Sequence, residues 1–448
     1  MSEHNGKKGI DRRSFLRGSA AVSASLVLSP MVAAQTTNTK KPDDINVALL
    51  GAGAQGQVLL NACLKIPGVR FKAVCDIWTA YNQKRTSRTL KVYQHENNAY
   101  VDYREMLDKE KDLDAVIIAT PDFWHAEHTV GCLKAGLHVY CEKEMSNTLE
   151  GARKMVQAAN ETGKLLQIGH QRRSNPIYIY CLEKLIKEVK LLGRITAVNG
   201  QWNRAARPDL GWPKKAVIEQ DTLEKYGFES MHQFKNWRWY KKLGGGPIVD
   251  LGAHQIDVYS WFLQSNPKSV MASGGTDYYD KKTHEWYDTV MAVYEYETAK
   301  GIVRAYYQTL TTNSNGGYYE TFMGDEGTLA ISESAGRCGL YREPSSPDWD
   351  KWVKAGYINE PSEQAKTETG AVLDVRETEA PPEYELPIEF DDPYHKPHLE
   401  NFFNAIRGKA KLNCPAEVGY ESAVTVLKVN EAVEAGCKLN FKPEEFKV

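Results

Sequence analysis

Ile45-Asn46-Val47-Ala48-Leu49-Leu50-Gly51-Ala52-Gly53-Ala54-Gln55-Gly56 is the stretch that decides the fold. Its first six residues form a short, mostly apolar run that stops at glycine, the pattern of a strand buried on both faces of a sheet. The spacing Gly51-x-Gly53-x-x-Gly56 then opens a helical stretch to about Lys65. In that context each glycine has its own task. Gly51 permits the tight turn, Gly53 lets a pyrophosphate approach the backbone, and Gly56 lets helix and strand pack closely. The helix N-terminus offers free N–H groups and a partial positive charge to phosphate. These residues predict a dinucleotide site.

Working outward, residues 69–75 read as a second strand, and Asp76 closes it twenty residues after Gly56. A carboxylate there accepts hydrogen bonds from both ribose hydroxyls and repels a 2′-phosphate, which favours NAD(H) over NADP, although Arg85 and Arg88 stand nearby in sequence. Residues 114–120, 138–141 and 164–168 read as further strands, with helices ending at Ala135 and spanning 150–162 between them. Strands alternating with helices predict parallel βαβ units with both sheet faces covered. The expectation is an α/β fold whose Rossmann domain covers residues 45–168. After residue 170, strands at 195–202, 269–274, 289–296 and 302–310 follow one another without helices between them. They predict an α+β domain over 169–448 with a large open mixed or antiparallel sheet. Residues 344–392, rich in Pro, Glu, Ser and Thr, read as surface excursions, and 398–406 and 416–435 as helices.

The chain has 448 residues, 42% hydrophobic and 25% charged, with a formal net charge of -2. That length suits two domains, and the balance of charge gives no field to draw in nucleic acid or an anionic membrane. Arg12-Arg13-Ser14-Phe15-Leu16 precedes a small, moderately apolar stretch ending at Val32-Ala33-Ala34. This reads as a twin-arginine-like export signal over residues 1–34, with 35–44 as a linker, and places the mature chain in the periplasm without a stable membrane anchor. Eight cysteines lie scattered, with no C-x-x-C pair and no zinc spacing, so no metal site is expected and most read as buried thiols.

Further motifs accumulate. Ala119-Thr120-Pro121 ends a strand ahead of Trp124-His125, Glu142-Lys143 closes the next, and Gly244-Gly245-Gly246-Pro247-Ile248-Val249-Asp250-Leu251-Gly252-Ala253-His254 lies in the second domain. In order and spacing these resemble the Gfo/Idh/MocA oxidoreductases, the group of glucose–fructose oxidoreductase and inositol dehydrogenase. The resemblance spans nearly everything after the linker, including a tail at Asn413-Cys414-Pro415-Ala416-Glu417. It implies hydride transfer between nicotinamide and a sugar or polyol carbon, and a sheet face that often builds a homo-oligomer, here a dimer or tetramer.

Three residues match the family's catalytic positions: Lys143 its Glu-Lys-Pro lysine, Asp250 and His254 its D-x-x-x-H pair. Physical chemistry agrees. His254 suits a general base at neutral pH. Asp250, four residues earlier on a helix, would fix its tautomer, and Lys143 would stabilise alkoxide charge. Cofactor contacts are expected from Gly51, Gly53, Ala54, Gln55, Gly56, Asp76, Ile77, Thr120, Pro121, His125, Glu142 and Lys143. His125 touches the ribose or caps the next helix. Glu144 replaces the family's proline. Since a cis bond before a non-proline residue costs ~3–4 kcal/mol, a trans peptide is expected there. Its charge either dampens the site or adds an acid or base.

Substrate contacts are expected from Arg173, Asn203, Arg204, Trp237, Arg238, Tyr240 and His254, drawn partly from two segments, 201–204 and 236–240, rich in aromatic and hydrogen-bonding groups suited to sugar rings. Arg173 has an alternative role in holding the domains together. The reading is an NAD-dependent oxidoreductase acting on a carbohydrate. Two alternatives stay open: a redox-neutral glycoside hydrolase that oxidises, eliminates, hydrates and reduces on retained NAD, and a non-catalytic sugar-binding protein. NAD-dependent α-N-acetylgalactosaminidases carry a Thr-His-Gly-type motif after the glycine run. Asp250-Leu251-Gly252-Ala253-His254 stands here instead, which favours the oxidoreductase.

Overall fold

The computed structural model describes residues 43–361 and 382–448. The export segment and most of the linker lie outside the described residues. Six strands, β1 (Ile45–Leu50), β2 (Val69–Cys75), β3 (Asn98–Tyr100), β4 (Ala115–Ile118), β5 (His138–Cys141) and β6 (Leu166–Ile168), form a parallel sheet in the order β3-β2-β1-β4-β5-β6. β1 and β4 are buried at every position, as strands covered on both faces must be. Helices α1 (Ala54–Cys63), α2 (Lys84–Val92), α3 (Tyr103–Lys109), α4 (Asp122–Lys134) and α5 (Leu149–Thr162) make the connections. This is a Rossmann sheet, with strand order reversing between β1 and β4.

The second sheet has nine strands: β7 (Ile195–Asn203), β8 (Pro267–Gly275), β9 (Thr289–Thr298), β10 (Gly301–Leu310), β11 (Tyr318–Gly324), β12 (Gly327–Ile331), β13 (Gly339–Arg342), β14 (Glu383–Tyr384) and β15 (Leu439–Asn440), in the order β14-β13-β12-β11-β7-β10-β9-β8-β15. β10 pairs parallel with β7 and the other pairs are antiparallel, so the sheet is mixed. Period-2 alternation sends Val290, Ala292, Tyr294 and Tyr296 of β9 into the core, beneath helices α6 (Gly246–Leu263) and α8 (Ala416–Ala435). Met271, Met291 and Ile302 are exposed.

Three expectations change. Helix α6 and two short helices lie between β7 and β8, where strands in succession were expected. Pro247 starts α6, whose residues are buried nearly all round, so it shows no amphipathic signature to read. Helix α7 (Lys396–Ile406), assigned from sequence to the second domain, packs Leu399, Phe402 and Phe403 into the core of β1 and α1 instead. Its apolar stripe needs a partner, and the Rossmann face supplies one. Within the stretch read as surface excursions, Trp349 is buried and stands 5.2 Å from Tyr384. All eight cysteines are free, six of them buried.

Candidate active site

A cavity of about 830 Å³ opens at the carboxyl ends of β1, β2, β4 and β5 and is closed on its other side by residues of the second sheet and α6. Parallel sheets collect functional side chains there because each strand ends at the same edge.

The phosphate cradle follows from local geometry. Gly51 has φ +90°, and a Cβ there would meet the Ala119 backbone at 2.6 Å. A Cβ on Gly56 would meet the Gly51 carbonyl oxygen at 2.1 Å. Both are glycines for reasons internal to the protein. Gly53 is different: a Cβ there has only the Asn82 side chain nearby, at 3.9 Å. It caps α1 with no side-chain hydrogen bond and lines the cavity, so the helix N–H groups face open space that fits a pyrophosphate. Ala54, Gln55, Ile77, Thr120 and Pro121 also line the cavity. Gly56 does not, which agrees with its packing task.

Asp76 is buried at the end of β2. Its carboxylate accepts from the backbone N–H of Ala52 and of Trp78, each at 2.7 Å, and from Asn82 Nδ2 at 3.2 Å. Burial raises its pKa, and the two backbone donors pull it back. The carboxylate is thus fixed facing the cavity, where a ribose would meet it. Arg85 lines the same wall.

His254 and Asp250 both face the cavity from α6, and Lys143 from the loop after β5. Lys143 Nζ donates to the Asp250 carbonyl at 2.5 Å and stands 3.5 Å from its carboxylate. Arg238 Nε lies 3.0 Å from the same carboxylate oxygen. Burial opposes the charge on Asp250, but Arg238, Lys143 and Arg204 outweigh it and hold the pKa below the usual carboxylate range. Asp250 does not touch the imidazole: His254 Nδ1 is buried with no hydrogen-bond partner among the described residues. The expected tautomer-fixing role is therefore corrected, because two cations claim the carboxylate. Burial, then Lys143, push the His254 pKa well below the ordinary histidine value, leaving a neutral ring.

Four further expected contacts lie elsewhere. His125 is buried away from the cavity, its Nδ1 and Nε2 standing 2.7 Å from the carbonyl oxygens of Glu144 and Thr120, one of which accepts its single N–H; His128 and Trp124 line the wall instead. Arg173 is spent on Asp257 through Nε (2.9 Å) and Nη2 (2.8 Å), tying the segment after β6 to α6. Asn203 donates to the Asn315 carbonyl at 2.8 Å, and Tyr240 bonds His232 at 3.0 Å; neither reaches the cavity. Arg204, Trp237, Arg238 and Glu142 do line it. The Lys143–Glu144 peptide is cis, against the trans expectation. Glu144 is buried, and that burial pushes its carboxyl up to about 8, so it adds little negative charge at neutral pH.

Sequence reading missed Gln171, Trp202, Tyr318, Glu333, Tyr394 and His395, all in the wall. Trp202 and Tyr318 stack at 4.5 Å, and His395 bonds Gln55 of the glycine loop at 3.0 Å. Trp202 lay inside a segment already noted for its aromatics. The others come from separate strands and loops, with no local motif to join them.

Fold and site together define a two-domain dinucleotide-dependent oxidoreductase. Residues 45–170 match the model of the oxidoreductase family with NAD-binding Rossmann fold, and residues 182–330 that of the GFO/IDH/MocA C-terminal domain. The chain belongs to the Gfo/Idh/MocA family. It is similar to scyllo-inositol 2-dehydrogenase (NADP(+)) of Bacillus subtilis (strain 168), 27% identical over 325 residues, covering 71% of this chain and 78% of that one. It is also 29% identical over 174 residues to glycosyl hydrolase family 109 protein 2 of Shewanella sp. (strain ANA-3), covering 34% of this chain and 38% of the relative. The aldose-aldose oxidoreductase from Caulobacter crescentus shares the fold, with TM-score 0.64 and 18% identity, covering 89% of this chain and 100% of that one.

Proposed function

We propose that the chain transfers a hydride between NAD(H) and a hydroxyl-bearing carbon of a sugar, polyol or glycoside. The observation that carries this reading is the convergence of Lys143, Asp250 and His254 on the cavity that the glycine cradle and Asp76 also line. The relatives named for scyllo-inositol and aldoses support the substrate class.

Bound nicotinamide supplies the hydride acceptor or donor. The chain's own residues manage the proton and the charge. Neutral His254 accepts the hydroxyl proton as the C–H bond weakens, a contribution typically worth roughly 10²–10⁴ in rate. Lys143, held by Asp250, steadies the negative charge that develops on that oxygen. Arg238 completes the clamp on Asp250 and stacks over Trp237 at 4.3 Å.

The Arg12-Arg13 segment supports an exported, periplasmic protein that carries its dinucleotide out in folded form. Met271, Met291 and Ile302, exposed on the second sheet, support a homo-oligomer built on that face. The glycosyl hydrolase relative keeps the redox-neutral alternative in view, over a third of the chain.

The test is direct. Purified protein is denatured and released NAD(H) is measured, then ring polyols and glycosides are screened. A net change in nicotinamide absorbance without sugar release supports the oxidoreductase. Sugar release without net redox change selects the hydrolase. A protein that neither contains nor takes up a nicotinamide nucleotide ends both readings.

A further inference from the structure

The cavity wall holds a second polar group. Gln171 follows β6 and Glu333 follows β12; they are 4% and 6% exposed, and both line the cavity. Gln171 Nε2 donates to Glu333 Oε1 at 3.1 Å, and Arg172 Nε donates to Oε2 at 3.2 Å. Arg172 is itself buried and pairs through Nη1 with Glu320, which also accepts from the Tyr178 hydroxyl at 2.9 Å. Two carboxylates therefore share one guanidinium, and only Glu333 reaches the cavity.

Gln171 Oε1 is buried with no hydrogen-bond partner among the described residues. A buried acceptor without a donor is unfavourable, and its place in a cavity wall points to a donor brought by a ligand. A carboxylate has room for about four hydrogen bonds, so Glu333 keeps accepting capacity after binding Gln171 and Arg172. Beside this pair stand Trp202 and Tyr318, each ring centroid within 5.9 Å of the Arg172 guanidinium, and Trp202 is 5.4 Å from His254.

We propose that Gln171 and Glu333 form a subsite that reads adjacent hydroxyls of an uncharged ring polyol or pyranoside, with Trp202 and Tyr318 against its apolar face. The proposal rests on the oxidoreductase reading and narrows its substrate. Acceptors select hydroxyl donors, and the Glu333 charge repels a carboxylate or phosphate on that edge of the ring. Glu333 is a specificity-determining residue here, and Arg172 positions it.

The experiment uses the full chain. NADH affinity is measured for wild type, Glu333→Gln and Glu333→Asp. NAD-dependent oxidation is then followed on ring polyols, methyl pyranosides, their deoxy forms and the matching uronic acids. Arg172 keeps Glu320 in both variants. Expected are unchanged NADH affinity, a KM raised about tenfold or more in Glu333→Gln with kcat nearly unchanged, and partial rescue in Glu333→Asp. The penalty that wild type shows for a deoxy substrate shrinks in Glu333→Gln, which a merely structural role does not produce. Equal KM in the variant, preference for the uronic acids, or NADH binding without oxidation of any ring in the panel overturns the subsite. Absence of NADH binding by wild type overturns the functional reading and the subsite with it.

Discussion

Lys143, from the Rossmann domain, donates to the main-chain carbonyl of Asp250 on the second domain's α6 at 2.5 Å, with the Asp250 carboxylate 3.5 Å away. The proposed alkoxide-stabilising cation is thus positioned by a residue 107 places further along the chain. Asp250→Asn removes the carboxylate charge that pairs with Arg238 and stands 3.5 Å from Lys143, while keeping the shape and the main-chain bond to Lys143. Turnover is expected to fall by roughly 10²-fold or more with NADH affinity retained. Steady-state kinetics with parallel NADH titration check this, and unchanged kcat would remove Asp250 from the mechanism.

His254 is held neutral by burial and by Lys143, with its pKa well below the ordinary value near 6.5. A base with a lowered pKa stays competent as pH falls past 6.5 and is lost only on protonation further down. The acidic limb of kcat/KM for oxidation is therefore expected below 6.5. His254→Ala is expected to abolish turnover and keep NADH bound. A limb at or above 6.5 contradicts the neutral ring.

Gly51 and Gly53 separate folding from binding. Alanine at Gly51 meets backbone at 2.6 Å with φ +90°, so Gly51→Ala is expected to lower the melting temperature as well as NADH binding. Gly53→Ala meets no protein atom closer than 3.9 Å. It is expected to keep the wild-type melting temperature and lose NADH affinity, by calorimetry and fluorescence titration. A Gly53→Ala protein that binds NADH as wild type does would show that the cradle is not used.

Glu144 carries a pH signature. Burial raises its folded pKa to about 8 from the ordinary 4.5. Below 4.5 both folded and unfolded chains hold the proton, and stability is unaffected. As pH rises from 4.5 to 8 only the unfolded chain ionises freely, so stability falls through that window and then levels. Glu144→Gln removes this loss. Its gain in melting temperature over wild type is expected to grow from pH 5 to pH 8, and a gain independent of pH refutes the shift.

Much of the nucleotide half could be read from the chain itself. An apolar run ending in three spaced glycines, with Asp76 at the next strand end, depends only on neighbours in sequence. The glycines are forced by backbone contacts within one strand–turn–helix unit. Strand positions in the second domain were legible where alternation was clean, as in β9 and β10, and not for any of β11 to β15.

Sequence by itself settled which residue types were present for dinucleotide binding and proton transfer, because those signals are local. Tertiary structure alone decided which charge meets which. It gave Asp250 to Lys143 and Arg238 rather than to His254, spent Arg173 on Asp257, sent α7 back to the first sheet and brought Glu333 beside Gln171. Electrostatic and hydrogen-bond partners are chosen by distance and burial across the packed domains, and no periodicity along the chain records those distances.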